Sequence, residues 1–269
     1  MKYLVTGCSG FLAKPLIKRL RQENCDIVGI ARNEGKIIEA DCDIITGDIT
    51  DDWIVKKGMK NVDGIFHLAA FKHVGLAENN AYQCAMSNVV GTTKLLQESY
   101  KTKPKFVIGI STDKAAQVSG VYGASKLIME ALFREAQKIN PDTQYRIVRY
   151  GNVLYSTGSV LCKWKERIEK KLPVFLTDKD ATRFFWTKEE AVDLIFDCLA
   201  NAKDATPYTP KMKAMSMGNL LEAMMEKYGL VADEEIGLQP GENMHETMDG
   251  KTFSNEVEQF TINEIKEKI

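Results

Sequence analysis

The sequence has no long apolar run. None approaches the ~20 residues that a membrane-spanning helix requires. The first apolar segment, Tyr3 to Val5, runs into Thr6-Gly7-Cys8-Ser9-Gly10 too soon to form the core of a secretion signal. There is no surplus of either charge: 36 Lys and Arg face 37 Asp and Glu, for a formal net charge of −1. A nucleic-acid binder needs a basic surplus, so that class is set aside. Histidine is scarce. His67, His73 and His245 stand at no metal-ligand spacing, and no metal site is expected. The six cysteines lie far apart with no Cys-x-x-Cys pair, which fits small buried thiols in a reducing cytoplasm. Internal repeats, low-complexity tracts and Gly/Ser linkers are also missing.

What is there is ordinary globular material. The 269 residues are 44% hydrophobic and 27% charged, enough for one large domain or two and too apolar for disorder. Short apolar runs at Tyr3–Thr6, Asp26–Ile30, Ile44–Ile45, Gly64–Leu68, Phe106–Ile110 and Tyr145–Val148 read as strands. Most are continuous rather than alternating, as parallel strands buried on both faces should be. Helical patterns separate them at Phe11–Glu23, Asp51–Gly58, Tyr82–Tyr100 and Tyr122–Ile139. In the third of these, Tyr82, Ala85, Met86, Val89, Val90, Thr93 and Leu96 form one stripe at helical spacing, which suits the sheet or a pairing surface equally. Strands alternating with helices predict an α/β fold with a doubly wound parallel sheet. After Gly151 helices dominate, at Val160–Lys171, Lys188–Ala200 and Met217–Lys227. The expected division is residues 1–150 as a nucleotide-binding sheet domain and 151–269 as a smaller, mainly helical substrate-binding part, interleaved across a soft boundary. The tail after Gly250 reads as a last amphipathic helix or a frayed end.

The strongest local signal opens the chain. Strand residues Tyr3–Thr6 lead into Gly7-Cys8-Ser9-Gly10-Phe11-Leu12-Ala13 and then a helix. Gly7 permits the tight turn, Gly10 lets the backbone approach a pyrophosphate, and Ala13 allows close helix–strand packing. The helix N-terminus then offers free N–H groups to the phosphates. This predicts a Rossmann-type dinucleotide site, with Thr6, Gly7, Ser9, Gly10, Phe11 and Leu12 as cofactor contacts. At the end of the second strand an NAD site carries an acid for the ribose hydroxyl. Here Ile30-Ala31-Arg32-Asn33 offers Arg32, which suits a 2′-phosphate, so NADP is expected over NAD. Asp48 and Ile49, after the third strand, should face the adenine. Ala69 and Ala70, after the fourth, keep the sheet edge open beside the cofactor.

Tyr122 and Lys126 are four apart at the start of a helix and share a face. An ammonium beside a phenol should lower the phenol's pKa and make it a usable base. The preceding strand ends in Ser111-Thr112-Asp113-Lys114, at the sheet edge where such folds bind ligands.

With these residues in view the sequence resembles the extended short-chain dehydrogenase/reductase family. It is most similar to one branch, the inverting UDP-N-acetylglucosamine 4,6-dehydratases of polysaccharide biosynthesis. The similar stretches are Phe66–Val74, Ser111–Ala115, Tyr122–Lys126, Arg149–Leu154, Thr182–Phe185 and Gly241–Glu246. The resemblance implies that Tyr122, with Thr112 and Lys126, takes the proton from the sugar 4-hydroxyl while hydride passes to the cofactor. It implies that Lys114 removes the carbon-5 proton and Asp113 protonates the departing 6-hydroxyl. Lys114 stands where an ordinary dehydratase of the superfamily carries Glu, which favours the inverting branch. Lys72, His73, Asn152, Arg183 and Glu242 are the implied contacts to the UDP-sugar, with Arg183 as a bidentate phosphate ligand. Asn243 departs from the Gly-Glu-Lys pattern common in the family. A cytoplasmic homo-oligomer, paired through the helices Tyr82–Tyr100 and Tyr122–Ile139, is also implied. Two other readings stay open: a nucleotide-sugar 4-epimerase or ketoreductase, which needs Tyr122 and Lys126 but not Asp113-Lys114, and a non-catalytic NADP-binding module, which needs none of them.

Overall fold

A computed structural model describes residues 1–32 and 41–269. Asn33, and most of the segment up to Asp43, lies outside the described residues. Six strands form one parallel sheet: β1 (Lys2–Thr6), β2 (Asp26–Ala31), β3 (Asp43–Thr46), β4 (Gly64–His67), β5 (Phe106–Thr112) and β6 (Gln144–Tyr150). Their order is β3-β2-β1-β4-β5-β6, every pairing is parallel, and each strand falls where its apolar run predicts. The order reverses between β1 and β4. The loops leaving those two strands diverge there, which opens a crevice at their C-terminal ends.

The continuous apolar runs have a simple cause. Tyr3, Val5, Ile27, Phe66, Ile108 and Val148 point to one face, and Leu4, Val28, Ile65, Val107 and Ile147 to the other. Alternate residues on a strand face opposite ways, so a strand covered on both sides must be apolar at every position. The first face is covered by α1 (Ala13–Gln22), through Leu16, Ile17 and Leu20. The second is covered by α2 (Asp52–Gly58), with Ile54 and Val55. Beyond β4 come α3 (Val74–Asn79) and α4 (Ala81–Ala85), then a π-helical turn at Met86–Val90 that leads into α5 (Gly91–Thr102). Helix α6 (Val121–Ile139) packs Met129, Phe133 and Ala136 beside α5 on the second face.

Most of the apolar stripe on the α4–α5 segment is not spent on the sheet. Tyr82 and Ala85 are exposed, and Met86, Val89, Val90 and Thr93 are only half-buried; of that stripe Leu96 alone is buried. The buried side carries Cys84, Asn88, Thr92, Leu95 and Ser99. These polar groups are satisfied: Asn88 Oδ1 accepts the Phe71 N–H at 2.7 Å and its Nδ2 donates to Ser125 Oγ at 2.9 Å. Hydrogen bonding, not hydrophobicity, decides which side of this helix faces inward.

The chain then forms α7 (Val160–Glu169), α8 (Lys188–Asn201), α9 (Met217–Tyr228) and α10 (Ile262–Lys268). Helix α8 returns to the first face of the sheet and packs Ala191, Val192, Leu194, Ile195 and Cys198 against α1 and the strands. Helices α7, α9 and α10 enclose a further core of Leu161, Trp164, Ile168, Leu220, Leu221, Met224 and Ile265. The tail after Gly250 therefore ends in a helix, started by a Thr261–Glu264 capping box. Six short strands stitch this region: β7 (Asn152–Val153), β8 (Val174–Leu176), β9 (Thr182–Arg183), β10 (Phe185–Trp186), β11 (Met215–Ser216) and β12 (Asp233–Glu235). Strand β7 pairs with β10, β9 with β11, and β8 with β12.

Candidate active site

The crevice at the strand ends is a cleft of about 670 Å³. Its floor is the glycine turn after β1. Gly7 has φ +69°, and a Cβ there would lie 2.9 Å from the Ala69 backbone. Only glycine permits both the left-handed conformation and this approach of the β1 and β4 ends. A Cβ on Gly10 would lie 3.0 Å from the Gly7 carbonyl oxygen, which accepts the Gly10 N–H at 2.8 Å. Gly7, Ser9, Gly10, Phe11, Leu12, Arg32, Asp48, Ile49, Ala69 and Ala70 all line the cleft. Arg32 Nη1 stands 3.6 Å from Asp48 Oδ2 across its rim.

Thr6 is the exception among the expected cofactor contacts. It is fully buried, with Oγ1 2.8 Å from His67 Nδ1, and it accepts the Ala69 N–H at 3.2 Å. His67 Nε2 lies 3.0 Å from Thr92 Oγ1. Burial, and secondarily the charge of Lys126, lowers the His67 pKa to about 3, so the imidazole is neutral. This buried chain of hydrogen bonds holds the β4 end against β1 and α5.

Strand β5 delivers Thr112 to the cleft. A single 3₁₀ turn at Asp113–Ala115 follows, and α6 then begins with Tyr122 in its first turn and Lys126 one turn later. The cap position of α6 is Gly120, which has no side chain. Glu78 of α3 substitutes: its Oε1 accepts the Val121 N–H at 2.8 Å. Gly123 lets α6 press on the 3₁₀ turn, since a Cβ there would run into the Lys114 carbonyl oxygen. Thr112, Lys114, Tyr122 and Lys126 line the cleft, and Asp113 is sealed behind them.

The electrostatics differ from the spacing argument. Lys126 Nζ donates to the Ile110 carbonyl at 2.6 Å, and burial lowers its pKa to about 8 against a smaller opposing effect from Glu130. The cation that lowers the Tyr122 phenol is Lys114, not Lys126. Burial nevertheless prevails and pushes Tyr122 up to about 12. Lys114 Nζ lies 3.2 Å from Asp113 Oδ1 and 3.3 Å from Glu246 Oε1. Burial alone would lower its pKa, but the two carboxylates outweigh burial and raise it. The resting Lys114 is thus an ammonium rather than the free amine that the base role calls for. Thr112 Oγ1 donates to Asp113 Oδ1 at 2.8 Å, while Asp113 Oδ2 is buried without a hydrogen-bond partner.

Glu246 escapes the sequence reading. It lies in the Gly241–Glu246 stretch, but a lone acid in a loop carries no signal until the fold brings it to Lys114. Its side chain is 1% exposed, and burial, reinforced by Asp113 and opposed by Lys114 and Arg183, raises its pKa. Arg183 does not line the cleft. It donates from Nη1 to the carbonyls of Thr182 and Met244, each at 2.9 Å, and its Nε stands 3.9 Å from Glu246 Oε1. Glu242 is also outside the lining and accepts the Gln239 N–H at 3.1 Å within its own turn. Lys72, His73 and Asn152 do line the cleft, with Lys72 Nζ donating to the Thr157 carbonyl at 3.0 Å.

This sheet order, a glycine turn after β1 and the Thr112–Tyr122–Lys126 group beyond β5 define an extended short-chain dehydrogenase/reductase. The chain belongs to the polysaccharide biosynthesis protein family, whose sequence model matches residues 3–266. It is 32% identical over 259 residues to a UDP-N-acetylglucosamine 4,6-dehydratase (inverting) of Campylobacter jejuni, covering 91% of this chain and 76% of that one. An uncharacterized membrane protein of Methanocaldococcus jannaschii is 35% identical over 263 residues, covering 91% and 79%. Among the described residues of this chain, no helix is long and apolar enough to cross a membrane. The X-ray structure of Pen from Bacillus thuringiensis superposes with a TM-score of 0.87 at 30% identity, covering 92% and 80%. The dTDP-glucose 4,6-dehydratase DesIV of Streptomyces venezuelae, determined with NAD bound, has a TM-score of 0.81 at 20% identity, covering 91% and 87%. The chain is thus a member of the nucleotide-sugar dehydratase and epimerase superfamily of enzymes.

Proposed function

We propose that the protein is a 4,6-dehydratase acting on UDP-N-acetylglucosamine with a bound NADP. The observation that carries this reading is Lys114 at the cleft wall, 3.2 Å from Asp113 and beside Tyr122. An epimerase has no use for that acid–base pair, and a non-catalytic module has no use for Tyr122 either. The inverting dehydratase of C. jejuni, at 32% identity, supports the same choice.

The glycine cradle at Gly7 and Gly10, which a Cβ would fill, fits a dinucleotide pyrophosphate, and Arg32 fits the 2′-phosphate of NADP. The nicotinamide, when bound, supplies a reversible hydride acceptor. Residues 1–150 hold the dinucleotide and residues 151–269 the uridine diphosphate end. Tyr122, acting as the phenolate that the Lys114 ammonium favours, takes the proton of the sugar 4-hydroxyl, with the Thr112 hydroxyl and Lys126 alongside. The 4-ketone so formed acidifies carbon 5, whose proton Lys114 takes. Asp113 protonates the departing 6-hydroxyl, a task for which its unpartnered Oδ2 is free. The six free thiols support a reducing, cytoplasmic setting, and the reading includes a homo-oligomer.

The test uses the purified protein and UDP-N-acetylglucosamine in deuterium oxide, followed by mass spectrometry and NMR. Loss of one water with deuterium at carbon 5 is expected, and the configuration at that carbon reports inversion. Nucleotide released on denaturation should be NADP. Lys114→Ala should abolish dehydration and only slow carbon-4 oxidation, through loss of the cation that lowers the Tyr122 phenol. A product of unchanged composition inverted at carbon 4 would establish an epimerase instead.

A further inference from the structure

Lys114 is an ammonium between two carboxylates, yet the reaction asks it to be a free amine. Its proton needs a destination. In the reacting complex Asp113 must already hold the proton that it gives to the departing hydroxyl, so it cannot take a second one from Lys114. Glu246 is the remaining neighbour, with Oε1 at 3.3 Å from Lys114 Nζ. It is held firmly: its N–H donates to Ser254 Oγ at 2.9 Å, and its Oε2 accepts from Asn243 Nδ2 at 3.3 Å. The charged and titratable groups that face this pair are Asp113, Arg183 and Tyr122, from the 3₁₀ turn, β9 and α6.

We propose that Glu246 is the positioning partner of Lys114, holding the ammonium at the cleft wall and accepting its proton as the amine turns on carbon 5. The proposal rests on the dehydratase reading and deepens it. One Nζ–H bond breaks and an O–H bond forms on Glu246, leaving the electron pair on Nζ. That pair takes the carbon-5 proton, and the C–H electrons form the carbon 5–carbon 6 double bond as water leaves with the Asp113 proton. The pair then holds one proton in excess, which it gives up to solvent as carbon 5 is reprotonated from the opposite face and the hydride taken from carbon 4 returns to carbon 6; the proton that Tyr122 took from the 4-hydroxyl restores Asp113. Burial of both partners favours this exchange, since it turns two buried charges into two neutral groups.

The experiment compares wild type with Glu246→Gln and Glu246→Asp across neutral to alkaline pH. Two readouts are taken: dehydration of UDP-N-acetylglucosamine, and reduced-nicotinamide absorbance on mixing, which reports carbon-4 oxidation alone. Wild-type dehydration should be flat near neutral pH, because the proton is shared inside the pair. Glu246→Gln should lose about 100-fold in dehydration at neutral pH, the usual weight of one proton-transfer partner. Its residual rate should climb with pH as Lys114 discharges to solvent instead, while carbon-4 oxidation stays within about 3-fold of wild type. Glu246→Asp, which folds around a retained carboxylate, should recover part of the rate and the flat profile. Wild-type dehydration by Glu246→Gln overturns the proposal, as does an equal loss in both readouts with no pH recovery, which marks a merely structural role. A wild-type enzyme that oxidises carbon 4 without dehydrating fails the dehydratase reading itself, and the wild-type arm reveals this separately.

Discussion

Lys126 carries a charge that the fold does not welcome. Its side chain is buried, and its pKa falls from 10.5 to about 8 because burial outweighs the attraction of Glu130. Below the folded value the lysine is charged in both folded and unfolded chains, and the fold bears a cost of roughly 3 kcal/mol at ~1.4 kcal/mol per unit of pKa. Between the two values the unfolded chain still holds the proton that the folded one has released, so stability rises with pH. Lys126→Met should therefore be more stable than wild type by about 1–3 kcal/mol near neutral pH, with the gap closing on the way to 10.5. Urea denaturation across that range measures it, and a variant no more stable than wild type at neutral pH refutes it. The sequence pattern locates Tyr122 and Lys126 correctly and misjudges how they interact. Helical spacing says which side chains share a face; it does not say that the ammonium turns to the Ile110 carbonyl and leaves Lys114 as the phenol's cation. Glu246 is illegible for a related reason, since its partner lies on a turn remote in the chain.

At the level of elements, the proposed catalytic groups depend on two short pieces pressed together: the 3₁₀ turn at Asp113–Ala115 and the first turn of α6. Gly123 permits the contact. Gly123→Ala puts a methyl against the Lys114 carbonyl, where only backbone movement can relieve it. The expected cost is about 1–3 kcal/mol of stability, from overpacking, together with a loss of dehydration as Lys114 shifts from Asp113. Thermal melting and turnover check it, and a variant unchanged in both means that the two turns are not in fixed register. The large elements are readable from sequence because strands such as β1 and β5 are apolar at every position. The small ones are not. Helix α3 is too short for periodicity, yet its Glu78 caps α6 where Gly120 offers no side chain. The buried side of α4–α5 is not legible because hydrophobic patterning cannot foresee that Asn88 and Thr92 meet Phe71 and His67, on a different part of the chain.

The same helix has a consequence for the whole molecule. The first turn of its apolar stripe faces outward: Tyr82 is 71% exposed, and Leu127 and Ile128 on the neighbouring α6 are 40% and 48% exposed. Exposed apolar side chains on two helices that pack together offer a candidate binding face. The net charge of −1 offers little electrostatic resistance to self-association. Pairing of two copies across α4 and α6 would cover these side chains, and a two-fold arrangement needs only that the patch be self-complementary. Light scattering should therefore find the wild type as a dimer or larger, and Tyr82→Glu with Ile128→Glu should yield monomers. The residues that line the cleft, from the glycine turn to Asn152, include none of Tyr82, Leu127 and Ile128. The monomeric variant should accordingly keep its bound dinucleotide and still oxidise carbon 4. A wild type that is monomeric at micromolar concentration removes the pairing argument. A monomeric variant without nucleotide shows instead that the helix pair, by bracing the α6 turn that holds Tyr122, is part of what keeps each cleft in shape.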